Sequence, residues 1–393
     1  MTPAARVQAA IEVLDLVIEA ARSNGAPADR LISDWFKSRR FAGSGDRRAV
    51  RELAYAAIRA CGEIPESGRA ALLLLAQDDP ALAALFDGER HAPEPITPDE
   101  PVARPGIAPA WLEESLADSG VVAEEAAALL GRAPLDLRVN TLKADRATIE
   151  LPLPVEPTVA AQGLRLPFGT PVEQWEAYQA GRIEVQDTGS QLTCEALAAQ
   201  PGETVIDLCA GAGGKTLALA AAMANRGCLI ASDADRARLS RLMPRAERAG
   251  VSIVETVLLD AGREGEALAV WQGKADAVLV DAPCSGVGTW RRNPEARWRL
   301  TEAQLARYVA LQARLLDLAA MLVRPGGRLV YVTCSLLDVE GARQIDGFLA
   351  RHRDWSAALP HLPAGRPRGQ GLRLSPFHDG TDGFFVAILT RSC

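Results

Sequence analysis

Two cysteines stand where chemistry is as plausible as packing. Cys284 follows Asp281-Ala-Pro after the apolar run Ala277 to Val280, and Cys334 lies between Thr333 and Ser335 after a second run, Arg328 to Thr333. Most free cysteines are inert core thiols. Two of them at strand ends, with Asp281 beside them, offer a nucleophile and a neighbouring carboxylate. A thiolate adding to an electron-poor ring divides one hard substitution into easier steps. The spacing does not say which thiol attacks, since neighbours can lower the pKa of either.

The elements that hold these side chains read as strands ending at one edge of a sheet. The stretch VIDLCAGAGGKT, 205 to 216, is a buried strand, a turn with Gly211, Gly213 and Gly214, and then the helix former LALAAAM. Such a turn lets backbone approach a ligand at a helix N-terminus. It is not a phosphate loop, because position 209 is Cys209, nor the dinucleotide fingerprint, because position 216 is Thr216. A second strand, Leu229 to Ser232, is closed by Asp233, about 20 residues beyond the glycines, where an acid can bind both hydroxyls of a ribose. One cleft should therefore hold a nucleotide-like ligand, an aspartate and two thiols. Together these point to carbon 5 of a pyrimidine: a thiolate at carbon 6 turns the ring into an enamine whose carbon 5 attacks a methyl sulfonium.

The motifs DAPCSGVGTWRRNPEARW, 281 to 298, and YVTCS, 331 to 335, closely resemble the Sun-type (RsmB-like) family of RNA cytosine methyltransferases. VQDTGSQL, 185 to 192, and DGFFVAIL, 382 to 389, fit that family's entry and exit segments. The resemblance implies a Rossmann-like α/β methyltransferase fold, S-adenosylmethionine as cofactor and small-subunit ribosomal RNA as substrate. It implies Cys334 as nucleophile, Cys284 as the thiol that helps release the product, and active-site places for Asp281 and Lys215. The backbone of Cys209, Ala210, Gly211, Ala212, Gly213, Gly214 and Lys215 is expected to hold the methionine part of the cofactor, Asp233 the ribose and Asp260 the adenine amine, with Asp281 facing cofactor and base. Ala212 departs from the family's usual proline without removing a functional group. A nicotinamide dehydrogenase would not need two strand-end cysteines, and an amine-directed methyltransferase usually carries an aromatic where Cys284 stands. The remaining alternative is a non-catalytic RNA-binding assembly factor, although every motif residue is present.

Net charge is −7, awkward for an RNA-binding protein, but the acid is local: Asp78 to Glu125 carries 12 acidic residues against Arg90 and Arg104. Lys37 to Arg51 is net +5 and Trp290 to Arg299 net +3. Arginines among aromatics suit phosphate contact and base stacking; Arg47, Arg48, Arg291, Arg292 and Arg297 are the candidate RNA contacts. Seven cysteines without C-x-x-C pairing indicate neither zinc nor a disulfide framework, so no metal is expected. No signal peptide or membrane span is apparent, and a reduced, cytoplasmic compartment and a monomer are the default expectations.

Residues 1–76 read as a helical bundle, with Val7, Ile11, Leu14 and Ile18 on one face, and 40–59 resembles the RNA-binding domain of the antitermination factor NusB. Residues 77–110 read as a Pro- and acid-rich linker, 111–180 as a helical connector and small α+β extension, and 181–393 as the catalytic domain with a mainly parallel sheet. Arg138, Asn140 and Lys143 are equally suited to RNA contact and to structure.

Overall fold

The computed structural model describes residues 1–23 and 25–393. The chain divides into two compact units, 1–131 with 289–301, and 132–288 with 302–393.

The first unit is helical. Its longest helix, Pro3–Arg22, begins at Thr2, whose side chain accepts from the Ala5 amide, with proline at the first helical position. Val7, Ile11, Leu14 and Ile18 are all buried, as their spacing requires. Helices Ala28–Lys37, Ser44–Ala60 and Gly68–Asp78 complete the bundle. The stretch read as a linker lies along it: Ala103 N donates to Ala70 O, Gly106 N to Ala60 O, and Arg69 holds Glu100 at 2.6 Å. A segment far away in sequence joins the same core. Trp298, from 289–301, packs within the apolar cluster of helices 3–22 and 44–60.

The second unit contains two sheets. The smaller is antiparallel: β1 (Leu135–Val139), β2 (Glu156–Pro157), β3 (Gly163–Leu166) and β4 (Ile183–Val185), in the order β2-β3-β1-β4. Leu137, Val139, Leu164 and Leu166 form its apolar side. The larger has nine strands. In chain order these are β5 (Thr204–Asp207), β6 (Cys228–Asp233), β7 (Val254–Leu258), β8 (Ala275–Asp281), β9 (Val323–Thr333), β10 (Trp355–Ala358), β11 (Arg366–Arg368), β12 (Gly371–Leu374) and β13 (Phe384–Arg391). Their spatial order is β11-β12-β13-β9-β8-β5-β6-β7, with β10 also on β13.

The sheet is less parallel than its strand–helix alternation predicts. β7, β6, β5, β8 and β9 run parallel, but β13 inserts antiparallel beside β9, and β10, β11 and β12 continue that antiparallel half. Short connections after residue 351 leave room for hairpins rather than right-handed crossovers. The apolar runs of β5, β8 and β9 are buried on both faces, as a parallel sheet covered by helices demands.

Candidate active site

β5 has β6 on one side and β8 on the other, so the chain order reverses there and the turn after β5 opens at the sheet's switch point, where open α/β sheets bind ligands. The turn leads into helix Gly214–Ala222. Gly211 and Gly213 have φ of +55° and +89°, and a Cβ on Gly213 would meet the Leu242 side chain at 2.7 Å. Only glycine fills such positions without strain. Asp233, at the end of β6, is buried; its carboxylate accepts the Gly211 amide at 2.7 Å and the Asp235 amide at 2.7 Å. Those bonds lock the acid beside the turn and leave its remaining lone pairs for a ligand. Asp260 is exposed, two residues past β7.

β8 and β9 pair in parallel, with Asp281 opposite Val332, so the segments leaving them emerge side by side. This juxtaposition brings Cys284 Sγ within 3.3 Å of Cys334 Sγ. Lys215 Nζ donates to Asp281 Oδ2 at 2.7 Å and lies 5.6 Å from the Phe384 ring. Burial opposes the ammonium, yet the Asp281 charge, the nearby Cys194 and the Asp281 hydrogen bond, with a smaller part from Cys334, outweigh it and raise the Lys215 pKa. The Cys284 thiol is pushed well up, first by its contact with Cys334, then by burial and by the Cys334 and Glu340 charges. The two thiols thus share one part-buried site beside the Lys215–Asp281 pair.

Residues 194–390 match the family described as 16S rRNA methyltransferase RsmB/F. The ribosomal RNA small subunit methyltransferase B of Xylella fastidiosa is 39% identical over 295 residues, 72% of this chain and 68% of that protein. The chain belongs to the RsmB/F family. The crystal structure of PH0851 covers 99% of both chains with a TM-score of 0.77 and 27% identity. A methyltransferase homolog from Pyrococcus horikoshii covers 72% of this chain and 99% of its own, with a TM-score of 0.59 and 29% identity. RsmB/F proteins use S-adenosylmethionine, and the donor set here fits it: a glycine turn in which a Cβ clashes, a helix N-terminus and an oriented carboxylate on Asp233.

The expected Cys209–Lys215 turn, Asp233, Asp281, Lys215, Cys284 and Cys334 all lie along one edge of the large sheet. Three participants were missed. Asp207, the one charge in the apolar run of β5, is fully buried under the turn; Oδ2 accepts from Thr216 Oγ1 at 2.7 Å, while Oδ1 has no partner. Burial, opposed by the Thr216 bond and supplemented by the Asp281 charge, pushes its pKa up to about 7. A lone acid inside a buried strand is a legible signal of this kind. Phe384 and Glu340 are the others. Phe384 sits on β13, whose place beside β9 periodicity does not reveal.

The expected RNA contacts fare worse. Arg297 is completely buried within the helical unit, its Nη2 donating to Ile58 O at 2.6 Å and Cys61 O at 2.8 Å, and Nη1 to Pro294 O. Trp290 and Trp298 are buried too, so neither offers a face for base stacking. Arg291 is also buried and Arg292 half-buried. The Arg-Trp pattern reads as a binding surface because sequence alone cannot distinguish a cation that meets phosphate from one that meets helix-end carbonyls. Arg47 and Arg48 are exposed, Arg47 Nε on Ala42 O at 2.9 Å and Arg48 on Glu52 at 3.0 Å. Asn140 and Lys143 fasten the small sheet to the carbonyls of Ala249 and Arg248 at 2.8 and 2.7 Å, ending helix Leu242–Ala249. Among the described residues no group of side chains has the makings of a metal site, and no helix is long and apolar enough to cross a membrane.

Proposed function

We propose that this protein methylates carbon 5 of a cytosine in small-subunit ribosomal RNA through a covalent adduct between Cys334 and carbon 6. The observation that carries this reading is the pair of thiols 3.3 Å apart beside the Lys215–Asp281 pair. The Cys334 thiolate forms the sulfur–carbon 6 bond, and the carbon 5–carbon 6 π pair moves to carbon 5. Bound S-adenosylmethionine supplies the electrophilic methyl group. A base then takes the carbon 5 proton, the electrons of that bond restore the double bond, and Cys334 leaves as thiolate. Lys215, held by Asp281 at the site, favours negative charge developing on the ring. Cys284, 3.3 Å from Cys334, serves the release step rather than the attack. Asp281 keeps Lys215 in place.

The helical unit contributes RNA binding in this reading, in the manner of a NusB-like domain, through exposed Arg40, Arg47, Arg48 and Arg51. The protein acts as a monomer in the cytoplasm. The test is methylation of small-subunit ribosomal RNA by the purified protein, followed by bisulfite sequencing. A cytosine protected from conversion only in the presence of protein and cofactor is expected. Methyl label on a ribose or an exocyclic nitrogen, with every cytosine still converted, would overturn it.

A further inference from the structure

Glu340 lies seven residues past β9 and is fully buried. Among the described residues no lysine or arginine pairs with it. A buried carboxylate without a cation is costly unless its oxygens are hydrogen-bonded. Here Oε1 accepts the Ser285 amide at 2.8 Å and Gln312 Nε2 at 3.0 Å, and Oε2 accepts the Ser285 hydroxyl. Gln312 Nε2 also donates to Pro283 O at 2.9 Å. The residues before and after Cys284 are thus gripped by one cluster. The main-chain oxygen of Glu340 accepts from Tyr331 Oη at 2.8 Å and Thr333 Oγ1 at 3.3 Å, on the strand that ends one residue before Cys334.

We propose that Glu340 is a positioning residue for Cys284, tying the Pro283–Ser285 turn to the end of β9 so that the second thiol stays in register with the first. This rests on the two-thiol reading above. Position, rather than charge, is what the geometry requires. A glutamine at 340 can keep its oxygen on the Ser285 amide and Gln312. Its amide nitrogen can then donate to the Ser285 hydroxyl, which in turn donates to Ser335 Oγ, already 3.2 Å away. An aspartate keeps the charge but withdraws it by one methylene.

The experiment compares Glu340→Ala, Glu340→Gln, Glu340→Asp and Cys284→Ala in the full chain. It measures cofactor affinity by calorimetry, multiple-turnover methylation, and the protein–RNA adduct that survives denaturing electrophoresis. Glu340→Ala and Glu340→Asp are expected to bind cofactor as wild type does, form the adduct, and release it slowly, with turnover down about tenfold or more, as misplacement of a proton-transfer group by a fraction of an ångström can cause. Glu340→Gln is expected to turn over within about threefold of wild type on the same reasoning. Should Glu340→Ala fail to fold, the Asp and Gln variants decide. Gln as slow as Asp, or Asp as fast as wild type, would overturn the positioning role. An adduct that accumulates with Cys284→Ala but with neither Glu340→Ala nor Glu340→Asp would overturn it while leaving the two-thiol reading intact. No adduct with Cys284→Ala would overturn that reading, and this inference with it.

Discussion

Replacing Arg297 with methionine should destabilise the helical unit rather than weaken RNA contact. The guanidinium fills the end of helix Ser44–Ala60, where the last carbonyls have no intrahelical donor. It donates to Ile58 O and Cys61 O at 2.6 and 2.8 Å, and to Pro294 O, and it is completely buried. Cys61 O keeps a donor in Trp298 Nε1 at 3.2 Å, so Ile58 O and Pro294 O lose most. Each orphaned buried acceptor costs about 1–3 kcal/mol, and loss of a cation at a helix C-terminus adds up to ~2 kcal/mol. Against this, burial already strains the charge, pulling the Arg297 pKa down to about 10, and methionine removes that strain. The net loss should be about 2–4 kcal/mol. Urea denaturation followed by hydrogen exchange across residues 44–61 measures it; cofactor affinity should not change. Arg297→Lys should also destabilise, because one ammonium cannot reach the same carbonyls. Unchanged stability together with weaker RNA binding and a smaller salt slope would refute the reasoning and restore Arg297 as a phosphate contact.

Asp233→Ala should weaken S-adenosylmethionine binding by about 2–5 kcal/mol, through lost charge-assisted bonds to the ribose and release of the Gly211 amide; unchanged affinity by calorimetry would reject the assignment. Asp207, with a folded pKa of about 7 against an ordinary 3.8, binds a proton in the folded state that the unfolded state has lost. Its contribution therefore lowers stability as pH rises from about 4 to 7, by roughly 1.4 kcal/mol per pH unit at most, and is flat above that. Asp207→Asn should flatten the denaturation midpoint over that window in the cofactor-free protein; an identical pH slope in both proteins would contradict it.

The catalytic edge was legible because its chemistry sits at the ends of apolar runs. Asp233, Asp281 and Cys334 each follow such a run, and a glycine turn marks where backbone approaches a ligand. Strand pairing then does the rest, since β8 and β9 end together. Segment 289–301 was not legible: buried tryptophans and arginines carry the same letters as an RNA-facing loop. What decides between them is a helix end 239 residues earlier in the chain, and no local pattern encodes that meeting. The antiparallel half of the sheet escaped for the same reason, because alternation of strands and helices fails only after residue 351. Glu340 stands two residues after another acid, Asp338, with nothing local to single it out, and its role depends on Ser285 and Gln312, far from it in sequence.

The two cysteine variants address the central claim most directly. Each is incubated with small-subunit ribosomal RNA and S-adenosylmethionine, and the products are resolved under denaturing conditions. Cys284→Ala should attack and methylate, then stall, leaving a protein–RNA adduct that carries the methyl group. Cys334→Ala should neither methylate nor form an adduct. An adduct with Cys334→Ala and none with Cys284→Ala would exchange the two roles, and full turnover by either variant would contradict covalent catalysis by this pair.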